Sequence, residues 1–407
     1  MMNALGIALF ALVILISVSL HEAGHMGTAK AFGMKVTRYF VGFGPTLWSF
    51  RRGETEYGVK GIPLGGFVKI VGMTPQDEDA DDAKAMWRFP VWKRSIVMSA
   101  GSLVHFILAA VAIWGLAMFS GLPNPALDHP ESPQLAQPPV VQVQPCVVTG
   151  TATTCTPQDP TSPAKAAGLQ DGDVLLAVNG HPVSNWGQAV EQIRPLAPGQ
   201  VATMTVKRGD AEQTLQVTPA GVERKMTDGS TRKVAAIGVG LSPTVPYFVK
   251  YGPVDAVGAS AQHAGNMVGA TFEALKQFPQ RIPALFSAIG GAERDPNTPI
   301  SVVGISLLGG EAVEQGAWDL FVSLFIAFNL FIGIFNLLPL LPLDGGHLFI
   351  AWFERIRSWV YARLHKPDPG RVDYFKLMPL TYTVILIFGA FTLLTVTADL
   401  VNPISIK

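Results

Sequence analysis

Four stretches of this chain are too long and too apolar to fit inside a soluble domain. They run from Ala4 to Phe32, from Ser95 to Leu122, from Leu320 to Leu343 and from Leu377 to Ala398. Each reaches the roughly 20 apolar residues that a bilayer core requires. The expected fold is therefore a polytopic α-helical membrane protein with four transmembrane helices. Of the 407 residues, 49% are hydrophobic and only 15% charged, which leaves room for one extramembrane domain. The formal net charge is zero, so nothing implies a nucleic-acid partner.

The first stretch ends in an unusual way. No charged residue occurs from Ala4 to Ser19, and then Leu20-His21-Glu22-Ala23-Gly24-His25 places three ionisable side chains inside the same apparent helix. Histidines at i and i+4 project from one face, close enough to share a Zn²⁺. The intervening Glu22 is placed to take a proton from the attacking water. The pattern alone is modest, because chance produces it in roughly one per cent of chains this long. Two core histidines are the plain alternative, but ionisable groups at membrane depth are costly and usually functional. A secretory signal would look different, with a basic leading region that this segment lacks.

Basic residues set the orientation. Lys35, Arg38, Arg51, Arg52, Lys60, Lys69, Lys84, Arg88, Lys93 and Arg94 fall between the first two spans, and Arg355, Arg357, Arg363, Lys366, Arg371 and Lys376 between the last two. Both connections are expected in the cytoplasm, leaving both termini and the long central connection outside. At about 1.5 Å per residue, His21 is about 26 Å along the helix from Ala4, near the cytoplasmic side. Asp344 closes the third span at the same side. A catalytic zinc takes three protein ligands and keeps a fourth position open. Asp344 is thus a candidate third ligand, with His347 competing for the role and a plain interfacial aspartate as the alternative.

His-Glu-Ala-Gly-His on a first span, followed by Asn336-Leu337-Leu338-Pro339-Leu340-Leu341-Pro342-Leu343-Asp344-Gly345 on a later one, resembles the site-2 protease family of zinc intramembrane metalloproteases. The resemblance covers nearly the whole chain and is nearest the bacterial members with one PDZ domain, the actinobacterial type. It implies His21, His25 and Asp344 as Zn²⁺ ligands and Glu22 as catalytic base. It also implies that Asn336 holds the substrate backbone, although a helix–helix hydrogen bond would explain that residue too. The second span departs from the pattern. Where relatives carry Gly-Pro-x-x-Asn, this chain has Gly101-Ser102-Leu103-Val104-His105, so His105 either packs with a hydrogen bond or supports the site.

Residues 33–94 read as short glycine-punctuated strands followed by an acidic loop and an interfacial anchor around Trp87, Phe89 and Trp92. The resemblance implies a membrane-reentrant β-element whose edge, near Gly65, Gly66 and Phe67, pairs with an unwound substrate. The plain alternative is a small cytoplasmic hairpin. After a proline-rich linker, residues 140–243 contain Ser162-Pro163-Ala164-Lys165-Ala166-Ala167-Gly168-Leu169-Gln170-Asp171-Gly172-Asp173 and an Asn179-Gly180 turn, a run that resembles bacterial PDZ domains. The peptide edge is expected at Ile237, Gly238, Val239 and Gly240, with a purely steric role as the alternative. Cys146 and Cys155 suit one short disulfide outside the cytoplasm. Residues 244–316 read as amphipathic helices on the outer surface, with the third transmembrane helix assigned to 317–347, a cytoplasmic loop to 348–376 and the fourth helix to 377–398.

The expected activity is zinc-dependent cleavage within transmembrane segments of single-span proteins. By resemblance, these are anti-sigma factors or signal-peptide remnants, cut after an upstream site-1-type protease in regulated intramembrane proteolysis at the bacterial inner membrane. A metal carrier lined by His21, Glu22, His25 and Asp344 is the first competing class, but it would require charges on further spans, and the second and fourth have none except His105. A non-catalytic PDZ adaptor is the second, and an intact Glu22 argues against it.

Overall fold

The computed structural model describes residues 2–125, 137–147, 155, 159–225, 231–241, 246, 248–292, 294–295 and 297–406. Residues 126–136 of the expected linker, most of the insert between the two cysteines and the end of the 140–243 segment lie outside the described residues. The chain divides into two compact units: residues 1–120 with 250–407, and residues 121–249.

The first unit opens on α1 (Met2–Ala31), an apolar helix, the form in which a span bonds its backbone groups to one another instead of to water. It stops at Gly33, where Met34 N–H bonds back to Ala29 O. Two long antiparallel strands follow, β1 (Val36–Arg52) and β2 (Thr55–Ile70). Both bend sharply. Arg38 pairs with Lys69 on one side and with Glu56 on the other, while Trp48 pairs with Val59. The hairpin therefore folds into four ribbons, in the order 66–70, 36–41, 56–59, 46–52, and the 66–70 ribbon is an outer edge. Gly65 turns the corner before it at a φ of +99°, which a side chain would strain. Tyr39 Oη donates to Ser19 O at 2.8 Å, tying this sheet to α1. Then comes α2 (Val91–Phe119), with the Lys93 ammonium over the rings of Phe32, Phe89 and Trp92 near its start.

The second unit holds β3 (Val141–Val143), α3 (Pro163–Ala166), β4 (Val174–Val178), β5 (His181–Pro182), α4 (Trp186–Ile193), β6 (Ala202–Arg208), β7 (Ala211–Val217), β8 (Ala220–Lys225), β9 (Thr231–Ala236) and β10 (Val239–Leu241). Its main sheet has the order β5-β4-β6-β7. Asn179-Gly180 makes the two-residue turn between β4 and β5, with Val178 opposite His181. Leu169, Leu175, Val178, Met204, Val206 and Val217 fill the core beneath. Asp173 is buried there and takes a two-pronged bond from Arg208, 2.8 Å from Nε and 2.7 Å from Nη2. A disulfide joins Cys146 to Cys155.

The first unit resumes with α5 (Asp255–Ile289), α6 (Val302–Glu314), α7 (Trp318–Asn336), α8 (Asp344–Arg363) and α9 (Met378–Val401). Among the described residues, four helices are long and apolar enough to cross a membrane: Ala4–Ala31, Val91–Phe119, Trp318–Asn336 and Tyr374–Val401. Three expectations change. The third span stops at Asn336 and does not reach Leu343, because Pro339 and Pro342 lack the donors a helix needs. Much of the expected 348–376 loop is helix α8. Finally, α6 is no surface helix. Gly309 and Gly310 let it close on α1, where a Cβ would strike Phe10 at 2.4 Å and Gly6 would meet Gly310 Cα at 2.9 Å. Just before α6, Arg294 Nη2 bonds Asp399 of α9 at 2.8 Å, and Asp399 Oδ2 accepts Ser301 N–H at 2.6 Å. Through Arg294 and Ser301, Asp399 pins the segment leading into α6 to the end of α9.

Candidate metal centre

The centre forms where α1 crosses α2, and two glycines allow the crossing. A Cβ on Gly24 would lie 2.8 Å from Ala100 O, and one on Gly101 would lie 2.4 Å from His21 Cε1. With no side chain between the helices, His21 and His25 are 6% and 4% exposed. Their Nε2 atoms are 3.1 Å apart. His25 Nδ1 lies 2.7 Å from Val97 O, a carbonyl that can only accept, so Nδ1 carries the proton and Nε2 presents its lone pair inward.

Asp344 arrives from the opposite side as the first residue of α8. The turn between Leu337 and Leu343 folds over the helix start, and Gly345 and Gly346 fit beneath it. A Cβ at either would strike the backbone of Leu337 or Leu340 at 2.3 and 2.7 Å. Asp344 Oδ2 is thereby held 3.4 Å from His21 Nε2 and 3.2 Å from His25 Nε2. Three donors thus form a triangle with edges of 3.1, 3.2 and 3.4 Å. A tetrahedral zinc with bonds of about 2.0–2.1 Å has donor–donor edges of about 3.3–3.4 Å, so spacing and donor chemistry both fit Zn²⁺. Among the described residues this is the cluster of three whose donor atoms all lie within 4.8 Å of one another. His347 is not part of it; its ring stacks on Tyr374 with centroids 5.7 Å apart.

Glu22 is half-buried on α1 between the two histidines. The 66–70 edge of β2 runs beside it, so that a Cβ on Gly66 would lie 3.7 Å from Glu22 Cγ and one on Gly65 would lie 3.8 Å from Val18 Cγ1. Gly65, Gly66 and Phe67 therefore border the centre without supplying a donor to it.

Residues 9–366 match the model of peptidase family M50. The chain belongs to that family, the site-2 proteases. This M50 peptidase is 44% identical over 412 residues to zinc metalloprotease Rip1 of Mycobacterium bovis, with 99% of each chain covered. It is 43% identical over 413 residues to zinc metalloprotease Rip1 of Mycolicibacterium smegmatis, with 100% of each covered. The chain is a multi-pass membrane metalloprotease, and its family metal is Zn²⁺.

In this M50 peptidase Asn336 is half-buried at the end of α7, and among the described residues its side chain makes no hydrogen bond. The helix–helix bond considered for it is made by Asn329 instead. Asn329 is fully buried two turns earlier, and its Oδ1 accepts from Ser17 Oγ at 2.5 Å and lies 2.8 Å from His105 Nδ1. Sequence reading passed over Ser17 and Asn329, although an asparagine in the middle of an apolar span is itself a signal. In the other unit, Ile237 is buried, while Val239 and Gly240 pair with Val143 and Gln142 of β3. Gly238 admits no side chain, since a Cβ there would lie 2.4 Å from Ser162 Oγ.

Proposed function

We propose that this metalloprotease cleaves within the transmembrane segments of single-span proteins, with His21, His25 and Asp344 as the Zn²⁺ ligands and Glu22 as the base. The observation that carries the reading is the three-donor triangle with Glu22 beside it, its two histidines lying on a helix fit to cross a bilayer. When bound, Zn²⁺ supplies a Lewis acid to the scissile carbonyl and to the attacking water. Glu22 takes the proton from that water as its oxygen bonds to the carbonyl carbon. It then returns the proton to the amine nitrogen as the C–N bond breaks.

Helical peptide bonds are shielded by their own hydrogen bonding, so a substrate must first be drawn out straight. The 66–70 ribbon, which among the described residues pairs with no second strand on its outer side and lies beside Glu22, suits that task by strand addition through Gly65, Gly66 and Phe67. Asn336, with its amide uncommitted, is suited to hold the extended backbone. The β-element reads as membrane-reentrant, and residues 140–243 as an extracytoplasmic PDZ domain with Ile237, Gly238, Val239 and Gly240 at its peptide edge. Both termini lie outside the inner membrane in this reading, and an upstream site-1-type protease trims anti-sigma factors or signal-peptide remnants first.

The test uses purified full-length protein in detergent with a single-span substrate. Glu22→Gln is expected to keep zinc and lose cleavage by about 10²–10⁴-fold, the usual worth of a positioned acid–base group. Asp344→Ala is expected to lose zinc. A wild-type protein that holds no metal would end the reading.

A further inference from the structure

Helix α8 has one apolar face that no other element covers. Phe349, Trp352, Phe353, Ile356, Trp359 and Val360 recur at helical spacing and are all exposed, whereas Ile350, Ala351 and Glu354 are buried. With Glu354, Arg355, Arg357 and Arg363 along its length, α8 is too charged to cross a bilayer, and it is not one of the candidate spans. Only residues 337–343 separate it from the end of the span α7. A helix so placed lies along the membrane surface with its aromatic side in the lipid.

Beside that face is a cavity of about 570 Å³, between α8 and residues 88–92 at the start of the span α2. Trp92 and Trp352 border it, both about half exposed. Arg88, Arg355 and Arg371 line it too, and Glu354 and Asp368 are the acids there. Both acids are committed. Glu354 accepts from Arg371 Nη1 and from Val372 N–H, each at 2.8 Å, and lies 3.5 Å from Arg94 Nη2. Asp368 Oδ1 accepts from Ser358 Oγ and Gly370 N–H, each at 3.0 Å. The other two arginines are not. Arg88 lies over the Trp87 ring and reaches only the Asp81 carbonyl, at 3.5 Å. Among the described residues Arg355 makes no ion pair or hydrogen bond, and it is exposed.

We propose that this cavity binds the phosphate of an anionic phospholipid, held by Arg88 and Arg355, with the acyl chains on the apolar face of α8. Guanidiniums present paired N–H donors that match phosphate oxygens. Basic pockets at the ends of spans are where anionic headgroups settle. A free phosphate shares that chemistry, but the two tryptophans and the exposed face of α8 favour the lipid. Bound there, the lipid bridges α8, which begins at Asp344, and α2, which carries Gly101.

The experiment measures binding of phosphatidylglycerol to the purified full-length protein in neutral detergent by native mass spectrometry, with phosphatidylcholine as the zwitterionic comparison. Replacing both arginines, as Arg88→Gln with Arg355→Gln, is expected to weaken phosphatidylglycerol binding about 10–30-fold. Unfolding without lipid stays near wild type, because neither arginine pairs with a carboxylate. The control pair Arg363→Gln with Lys366→Gln removes the same charge outside the cavity and is expected to leave binding within about threefold. If the first pair fails to fold, Arg355→Gln alone makes the comparison, with a loss of about fivefold expected. Unchanged phosphatidylglycerol binding in the cavity variant overturns the proposal. An equal loss in the control pair also overturns it, since the effect is then general surface charge. So does phosphatidylcholine bound as tightly as phosphatidylglycerol by wild type. Displacement of the lipid by excess inorganic phosphate overturns the lipid assignment and leaves a phosphate site.

Discussion

Gly101 of α2 lies so close to His21 of α1 that a Cβ built on it would sit 2.4 Å from His21 Cε1 and 2.5 Å from His25 Nε2. The two rings occupy the volume a side chain would need. Even one methyl must displace a histidine ring or part the helices. Gly101→Ala is expected to lower zinc affinity by at least tenfold and cleavage by about 100-fold, comparable to damage to the groups that orient a ligand. Metal analysis and cleavage of a single-span substrate check it, and wild-type zinc content in the variant would refute it.

His347 and Asp344 are three residues apart on α8, yet only Asp344 joins the donor triangle. His347 faces Tyr374 instead. His347→Ala should therefore hold zinc at wild-type stoichiometry and retain activity within a few-fold. Loss of the metal in that variant would return His347 to the ligand set.

Arg294 and Asp399 form a buried pair joining the start of α6 to the end of α9, with side chains 3% and 1% exposed. Asp399→Ala leaves the buried guanidinium without its counter-charge and removes the acceptor of Ser301 N–H. The expected cost is about 3–5 kcal/mol, read as a lowered unfolding midpoint in detergent. Replacing both residues, as Arg294→Met with Asp399→Leu, should recover much of it, since no charge then remains buried alone.

In the other unit, the Arg208 guanidinium and the Gln170 N–H hold the Asp173 carboxyl below the usual carboxylate range. A depressed folded value means the stabilisation is fully present above the unfolded value of about 3.9 and is lost as pH falls through the folded value. Asp173→Asn should therefore unfold earlier than wild type at neutral pH. The gap should close on acidification below about pH 4. A gap that persists unchanged there would assign the effect to packing rather than charge.

Much of the chain was legible because bilayers and backbones leave few choices. An uncharged apolar run of the right length has to be a helix, and His21, Glu22 and His25 share one turn, so their proximity follows from helical spacing alone. The Asn-Gly turn and the glycine-rich run of the second unit are equally local signals. The proposed third ligand was harder. Asp344 could be proposed from depth, but its place at the head of α8 depends on a turn that Gly345 and Gly346 accommodate by backbone contact. The true end of the third span and the inward packing of α6 also escaped, because both depend on which helix each glycine meets.

The sequence by itself determined the apolar runs, the shared helical turn of His21, Glu22 and His25 and the metal such donors suit, since all of these follow from periodicity, hydropathy and donor chemistry. The tertiary structure decided what closes the centre: Gly101 against His21, Asp344 over both histidines, and the Ser17–His105–Asn329 chain behind them. Those residues are separated by as many as 312 positions, as between Ser17 and Asn329. No local pattern relates groups so far apart; only the crossing of α1, α2 and α7 brings them into hydrogen-bonding range.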